Sequence, residues 1–289
     1  VPVTSNKTYP GLLHTVRVVE TAVIADLDEI PANKWVRVET TGNAPNKVFH
    51  GAATIAPERD EVFFFGADTH DDDYDNGVFR LDLKSLKWSR DYEADPTADY
   101  TITPEGYTIT TSGRPWAMHT FDSWDYDPVS RKLVAVGSPD HAYKIFTDFR
   151  KKGLSNKSRT KPATWLYDPD TTTWELVRTN SPRLFAYALV WDPVGKQFIG
   201  HDGVRTYHYD AKNRKWVTYK APSVKGWHRK MVFDTFADRV LTLGHNGGSS
   251  VLFSYDRVTH KWEVVQTIGT TLPANGAALA YDSYNHVML

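Results

Sequence analysis

Five times along its 289 residues the chain repeats one two-part unit. The first part is an apolar strand, a turn such as Asp-Pro, and a second β-rich run closing on Gly. It occurs as "HGAATIAPERDEVFFFG" from His50, "FDSWDYDPVSRKLVAVG" from Phe121, "YALVWDPVGKQFIG" from Tyr187, "RKMVFDTFADRVLTLG" from Arg229 and "GAALAYDSYNHVML" from Gly276. The second part is a strand with Tyr-Asp or Leu-Asp, a short polar turn, and a strand carrying Trp. It occurs as "VIADLDEIPANKWVRVE" from Val23, "VFRLDLKSLKWSRDYE" from Val78, "TWLYDPDTTTWELV" from Thr164, "TYHYDAKNRKWVTY" from Thr206 and "LFSYDRVTHKWEVV" from Leu252. A period of roughly 40 to 50 residues built of short β-branched and aromatic runs between turn signals predicts propeller blades of four antiparallel strands.

The spacing and the Tyr-Asp, turn, Trp signature resemble kelch repeats over nearly the whole chain. The resemblance implies an all-β propeller occupying residues 1–289 as a single domain. The chain begins with an unpaired second half and ends just after an unpaired first half, so the expected count is five blades, the ring closed by strands from both termini. A seven-bladed parent truncated at Leu289 is the alternative.

Charge and composition narrow the partners. Lys+Arg number 34 against Asp+Glu 35, and no long basic block tracks a phosphate backbone, which argues against nucleic acid. No apolar run approaches the roughly 20 residues of a membrane helix, so no membrane partner is expected. The absence of cysteine removes disulfides, thiolate zinc sites and cysteine nucleophiles. The Val-Pro start without an initiator Met suggests a trimmed secreted or periplasmic protein, expected to be a monomer.

No long amphipathic helix is expected. Two irregular stretches, Asp95 to Pro115 and Lys144 to Lys161, are insertions in or before the second blade, and loops of that length are often functional. Within the latter, "KIFTDFRKKGLSNKSRTK" reads either as a solvated loop or as a clamp for an anionic polymer.

In a propeller the loop into the first strand of a blade and the loop leaving its second strand share one face, the mouth. The chain has 11 histidines. His50, His70, His119, His141, His201, His228 and His245 fall at those positions, alongside Asp68, Tyr187 and Arg205. Two chemistries fit. Imidazoles with a carboxylate bind zinc, copper or iron. Alternatively, a base, an acid and a charge neutraliser act on an anionic sugar: the proton α to a uronate carboxylate is removed and the leaving oxygen across the glycosidic bond is protonated.

The order His119, His141, Tyr187, Arg205, His245 resembles the ulvan lyases, propeller-fold polysaccharide lyases with His, Tyr and Arg on successive blades. By that resemblance His119 and Tyr187 share the base and acid roles, while Arg205 and His141 neutralise the uronate carboxylate, for which the guanidinium fork is suited. The expected substrate is an anionic, uronate-containing polysaccharide, sulfated or not, cleaved by β-elimination. His50, His201, His228 and His245 would bind substrate, and Trp116, Tyr143, Tyr207 and Trp227 would stack on sugar rings. The repeated Trp88, Trp174, Trp216 and Trp262 read as structural. The acidic loop "ADTHDDDYDNG" makes Asp68, His70 and Asp72 a candidate metal set, although it lacks the ordered calcium-loop pattern. No cofactor is required by this reading; a structural calcium or zinc fits it. The competing functions are a non-catalytic kelch-type module for glycan or protein, and a metal-dependent oxidase or hydrolase.

Overall fold

The structure is a computed structural model that describes residues 23–24, 36–46, 50–139, 143–151, 160–184, 188–220, 229–246, 249–265 and 279–289. Four antiparallel four-stranded blades follow one another along the chain. Blade 1 comprises Ala52–Ala56, Glu61–Phe65, Phe79–Asp82 and Lys87–Arg90; blade 2, Trp124–Asp127, Lys132–Gly137, Ala163–Asp168 and Thr173–Val177. Blade 3 comprises Ala188–Asp192, Gln197–His201, Arg205–Asp210 and Lys215–Lys220; blade 4, Met231–Asp234, Arg239–Asn246, Ser249–Asp256 and Lys261–Val265. Their first strands lie side by side in chain order, as in a propeller.

The expected five-blade count, and with it the truncated seven-bladed alternative, is corrected to four among the described residues. The last first-half forms only the two-stranded hairpin Tyr281–Asp282 with Val287–Met288, packed beside the first strand of blade 4. The leading second-half does not complete it among the described residues. Val23–Ile24 instead pairs in parallel with Arg37–Val38, and the chain then lays Thr41–Gly42 in parallel along Lys87–Trp88, covering the open edge of blade 1. An uncovered outer strand presents unpaired N–H and C=O groups, so the leading segment satisfies an edge close to it in sequence.

The repeated Asp is a turn device. Asp127, Asp168, Asp192, Asp210, Asp234 and Asp256 each accept, through Oδ1, backbone N–H groups two or three residues on at 2.8–3.3 Å, closing the hairpin without leaving those donors unpaired. Each hairpin then re-enters its strand through a left-handed residue, such as Leu86, Thr172, Arg214 or His260 in the outer turns. The repeated Trp links neighbours: Trp216 Nε1 donates to Thr164 Oγ1 and Trp262 Nε1 to Thr206 Oγ1, both at 2.8 Å, so blade 3 is tied to blade 2 and blade 4 to blade 3. Trp174 Nε1 donates to Tyr92 Oη at 2.6 Å.

At the inner strands one segment binds all four blades. Asp125, in blade 2, accepts from Thr54 Oγ1 of blade 1 and from the Trp191 N–H of blade 3, both at 2.6 Å. Asp122 accepts from the Met231 N–H of blade 4 at 2.8 Å and pairs with Lys230 at 3.2 Å, while its carbonyl accepts the Leu189 N–H at 2.9 Å. Lys230 Nζ also donates to the Phe121 carbonyl. Burial opposes the ionised carboxylate and pushes Asp122 up to about 7, with Lys230 pulling the other way.

Two stability predictions follow from these features. Thr172 is β-branched at φ 53°, a left-handed conformation that costs a branched L-residue more than glycine loses in entropy; Thr172→Gly raises stability by about 1 kcal/mol, read as a higher urea midpoint. Below the unfolded aspartate value of about 4 Asp122 is protonated in both states. Between there and about 7 the folded protein holds a proton that the unfolded chain has released, so its contribution to stability falls as pH rises. Urea titrations across this window show a shallower fall with pH in Asp122→Asn than in the parent; equal slopes refute the assignment.

Candidate metal centre

Gly66 makes the close approach on which the site is built. At φ 130°, it carries the chain out of the second strand of blade 1 against the loop leading into blade 2, and a Cβ there would meet Thr120 Oγ1 at 2.4 Å and the Gly51 Cα at 2.7 Å. Around it the two loops are stitched together. The Ala67 N–H donates to the Met118 carbonyl (3.0 Å), Thr120 Oγ1 to the Phe65 carbonyl (2.7 Å), and the Thr120 and Phe121 N–H groups both donate to the His50 carbonyl (2.9 Å). His50 itself is left-handed, φ 63°. Strain of this kind persists only where the surroundings over-determine it.

The result is a cluster of three imidazoles. His50 stacks on His119 with ring centres 4.3 Å apart and 29° between planes; His70 lies 4.7 Å from His119 and 5.4 Å from His50. One donor atom from each falls within 4.8 Å of the others. His119 is buried, His50 half-buried and His70 exposed, so the cluster opens outward through His70. Asp68 Oδ1 sits 3.1 Å from His50 Nδ1 and 3.9 Å from His119 Nε2, and Thr69 Oγ1 is 3.2 Å from His119 Nε2. Three neutral imidazoles beside a carboxylate are a ligand set for a divalent transition metal, with Asp68 and Thr69 orienting the rings or completing the shell. His50, His70 and His119 thus form a plausible metal-binding site.

The stretches read as irregular supply the wall. Tyr100–Ile102 and Thr108–Thr110 pair as a hairpin, and Tyr143–Lys151 forms a helix of nine residues, so the second stretch is helical as far as Lys151, where a loop was expected. Ile145, Phe146, Tyr100, Trp116, Ala67 and Ala117 bury together in a small core beside the cluster. Asp95 fastens the insertion to blade 1, accepting from Asn76, Thr110, Ser112 and Arg114 at 2.8–3.3 Å. Tyr100 Oη donates to the Tyr74 carbonyl and accepts the Ala117 N–H, both at 3.1 Å, linking the acidic loop to the segment that carries His119.

The predicted site residues are dispersed differently from expectation. His119, His50, His70 and Asp68 come together, although the sequence reading had divided them among catalytic, binding and metal roles. Asp72 is exposed and accepts from Tyr74 Oη at 3.1 Å, outside the trio. Trp116 is 0% exposed, its ring packed on Tyr100 and Phe149, and presents no open face for a sugar. Tyr207 is buried with its hydroxyl donating to Asp202 at 2.5 Å, and Arg205 lies exposed at the rim beside both. His201 is buried at the end of the second strand of blade 3, and His245 is half-buried in the second strand of blade 4, opposite Ser250. His141, Tyr187, Trp227, His228 and the Tyr143 side chain lie outside the described residues. The sequence reading passed over Arg229, although "HRK" stands directly before the first strand of blade 4.

No protein-family model matches the chain. No curated protein matches it. Among solved structures it is similar to TolB from Acinetobacter baumannii, at 16% identity and a TM-score of 0.40, covering 68% of this chain and 38% of TolB. It is also similar to an oligogalacturonate lyase in complex with manganese, at 15% identity and a TM-score of 0.41, covering 80% of this chain and 55% of the lyase. The chain therefore spans less than two thirds of either protein.

A built metal site should respond to its ligands one at a time. Dialysed against zinc or manganese and then desalted, the protein retains about one equivalent, and its melting temperature rises as binding to the folded state requires. His119→Ala and His70→Ala each lose the retained metal, whereas His286→Ala, on the terminal hairpin, keeps it. Retention unchanged in both cluster variants refutes the site.

Proposed function

We propose that the protein is a lyase that cleaves uronate-containing polysaccharide by β-elimination, with the His50, His70 and His119 cluster as the centre of its site. The observation that carries this reading is the convergence of three imidazoles and Asp68 from three loops, the one into blade 1, the one leaving its second strand and the one into blade 2. A divalent ion held there supplies a Lewis acid for a carboxylate oxygen. That is what elimination next to a uronate demands, since the α-hydrogen becomes acidic only when the carboxylate charge is neutralised.

Within this reading His119 changes part. The sequence pattern made it base or acid, but its ring is buried against His50 and hydrogen-bonded to Thr69, a setting suited to a fixed ligand. Tyr187 keeps one of the two proton-transfer roles that the ulvan-lyase resemblance gives it, and His141, a charge neutraliser in that resemblance, takes the other in this reading; both lie outside the described residues. One takes the proton on the carbon α to the carboxylate, the electron pair forms the double bond to the β-carbon, and the bond from the β-carbon to the glycosidic oxygen breaks as that oxygen is protonated. Arg205, exposed at the rim, meets the polymer's charge outside the reacting ring. A secreted or periplasmic location belongs to the same proposal, since the substrate is an extracellular polymer.

The imidazole cluster also favours a second reading, a metal-dependent hydrolase. One assay separates the two. With ulvan and other uronate polymers, elimination produces new ultraviolet absorbance from the unsaturated uronate, whereas hydrolysis produces reducing ends without it. The lyase reading expects absorbance lost by at least about a hundredfold in His119→Ala and Tyr187→Phe. Reducing ends without absorbance overturn it in favour of hydrolysis.

A further inference from the structure

Blades 3 and 4 are joined on their outer strands by a chain of titratable groups. His208, on the third strand of blade 3, is 5% exposed, and its Nε2 lies 2.8 Å from the hydroxyl of Tyr255 on the third strand of blade 4. The buried Tyr255 hydroxyl also lies 3.1 Å from Nδ1 of His260, in the outer turn of blade 4. His260 reaches back to blade 3: its half-buried ring stacks on Tyr219 of the fourth strand, 3.7 Å between centres and 17° between planes. His208 lies 4.7 Å from Tyr219 and 5.2 Å from His260. The same blade boundary carries the bond from Trp262 Nε1 to Thr206 Oγ1.

The repeat supplies a contrast at the junction of blades 2 and 3. There Leu166 stands where blade 3 has His208, and Arg214 where blade 4 has His260. The indole bond is the same, Trp216 Nε1 to Thr164 Oγ1 at 2.8 Å. Blades 3 and 4 therefore share the common inter-blade bond and add a bridge of two imidazoles and a phenol.

Proton counting limits what that bridge can hold. A hydroxyl has one hydrogen to donate and two lone pairs that accept. With both rings neutral, Tyr255 donates to one and accepts from the other. One added proton keeps both bonds, whichever ring carries it. With a second, Tyr255 faces two donors, its own hydrogen has no acceptor, and two like charges share a buried junction. Burial opposes that state at His208 and pushes it down to about 4, with the charges of His260 and Arg257 acting in the same direction. Arg257 is itself paired with Asp238 at 2.9 Å and lies 3.6 Å from Asp192. Tyr219 and Tyr255 are the other titratable groups facing the ring among the described residues, and burial pushes the Tyr255 phenol up, so it stays a hydroxyl.

We propose that the bridge of His208, Tyr255 and His260 is an acid-sensitive latch, which holds the outer strands of blades 3 and 4 together at neutral pH and releases them when both imidazoles are protonated. The latch is independent of the reading of the His50 cluster, which lies at another junction. An opened junction returns His208 to its ordinary value of 6.5. Between there and about 4 the open form binds a proton that the closed form refuses, so opening becomes easier as pH falls through this window and is unchanged well above it. The opening constant rises roughly fiftyfold from pH 7 to pH 4.5. Asp122, which ties the inner end of blade 4, contributes with the opposite sign, so acid loosens the outer strands while the inner ones stay held.

The two indole N–H groups measure this directly. In the full chain with 15N-labelled tryptophan and histidine, solvent exchange of Trp262 Nε1–H is divided by that of Trp216 Nε1–H, which cancels the intrinsic pH dependence of indole exchange. The ratio rises about fiftyfold from pH 7 to pH 4.5, and the His208 ring titrates near 4. His208→Leu, the residue the chain already uses at the matching place in blade 2, makes the ratio independent of pH and leaves metal retention by the His50 cluster unchanged. A constant ratio in the wild-type chain, or a His208 ring that titrates near 6.5, overturns the latch whether or not the variant folds. A ratio that still rises in His208→Leu overturns it as well.

Discussion

Two carboxylates on one short segment hold the blades in place. Asp125 lies on the inner strand of blade 2 and Asp122 just before it, and between them they accept a side-chain hydroxyl from blade 1 and main-chain N–H groups from blades 3 and 4. Hydrogen bonds to a charged acceptor contribute roughly 1.5–3 kcal/mol each, and removal of the acceptor leaves buried donors orphaned at similar cost. The inner strands have little choice of register once these contacts form. Everything at the mouth inherits that register, because the loops bearing His50, His119, His201 and Arg229 begin or end on strands bound to this segment or paired with one that is.

With the blades locked, the junctions become sites. Gly66 lets two loops pass at backbone contact, and the close approach turns His50, Asp68, His70 and His119 into a set of neighbours. The junction of blades 3 and 4 instead places a neutral imidazole against a buried guanidinium. The two junctions thus differ in chemistry: one gathers imidazoles beside a carboxylate, the other an imidazole beside a guanidinium.

Particular residues show where sequence reading succeeds and where it stops. The Tyr-Asp turns and the Trp strands were legible because each serves its own hairpin: Asp256 caps the Val258 and Thr259 N–H groups two and three residues away. The propeller architecture follows from repetition of such local units. The blade count was not legible. A half-repeat at each end matches the pattern equally well whether or not the two halves find each other; here the leading half pairs within itself, Val23–Ile24 along Arg37–Val38, and the residues just after it, Thr41–Gly42, cover the edge of blade 1. The helix at Tyr143–Lys151 was missed because its apolar residues, Ile145, Phe146 and Phe149, make sense only once Trp116 is known to await them.

The candidate site divides along the same line. Repeat phase alone puts His50, His70, His119 and His201 beside the ends of blade strands, since strand order and loop length are local properties that a periodic sequence displays openly. Their partners were decided by tertiary structure: His50 and His119 are 69 residues apart, yet their rings stack at 4.3 Å, and His201 meets Arg229 only across a blade boundary. The physical reason is that side-chain chemistry at this mouth arises between blades, whereas the sequence pattern is written within them. Ion binding and charge neutralisation depend on distances of a few ångströms, and those distances were set by Gly66, Asp122 and Asp125, none of which carries the chemistry itself.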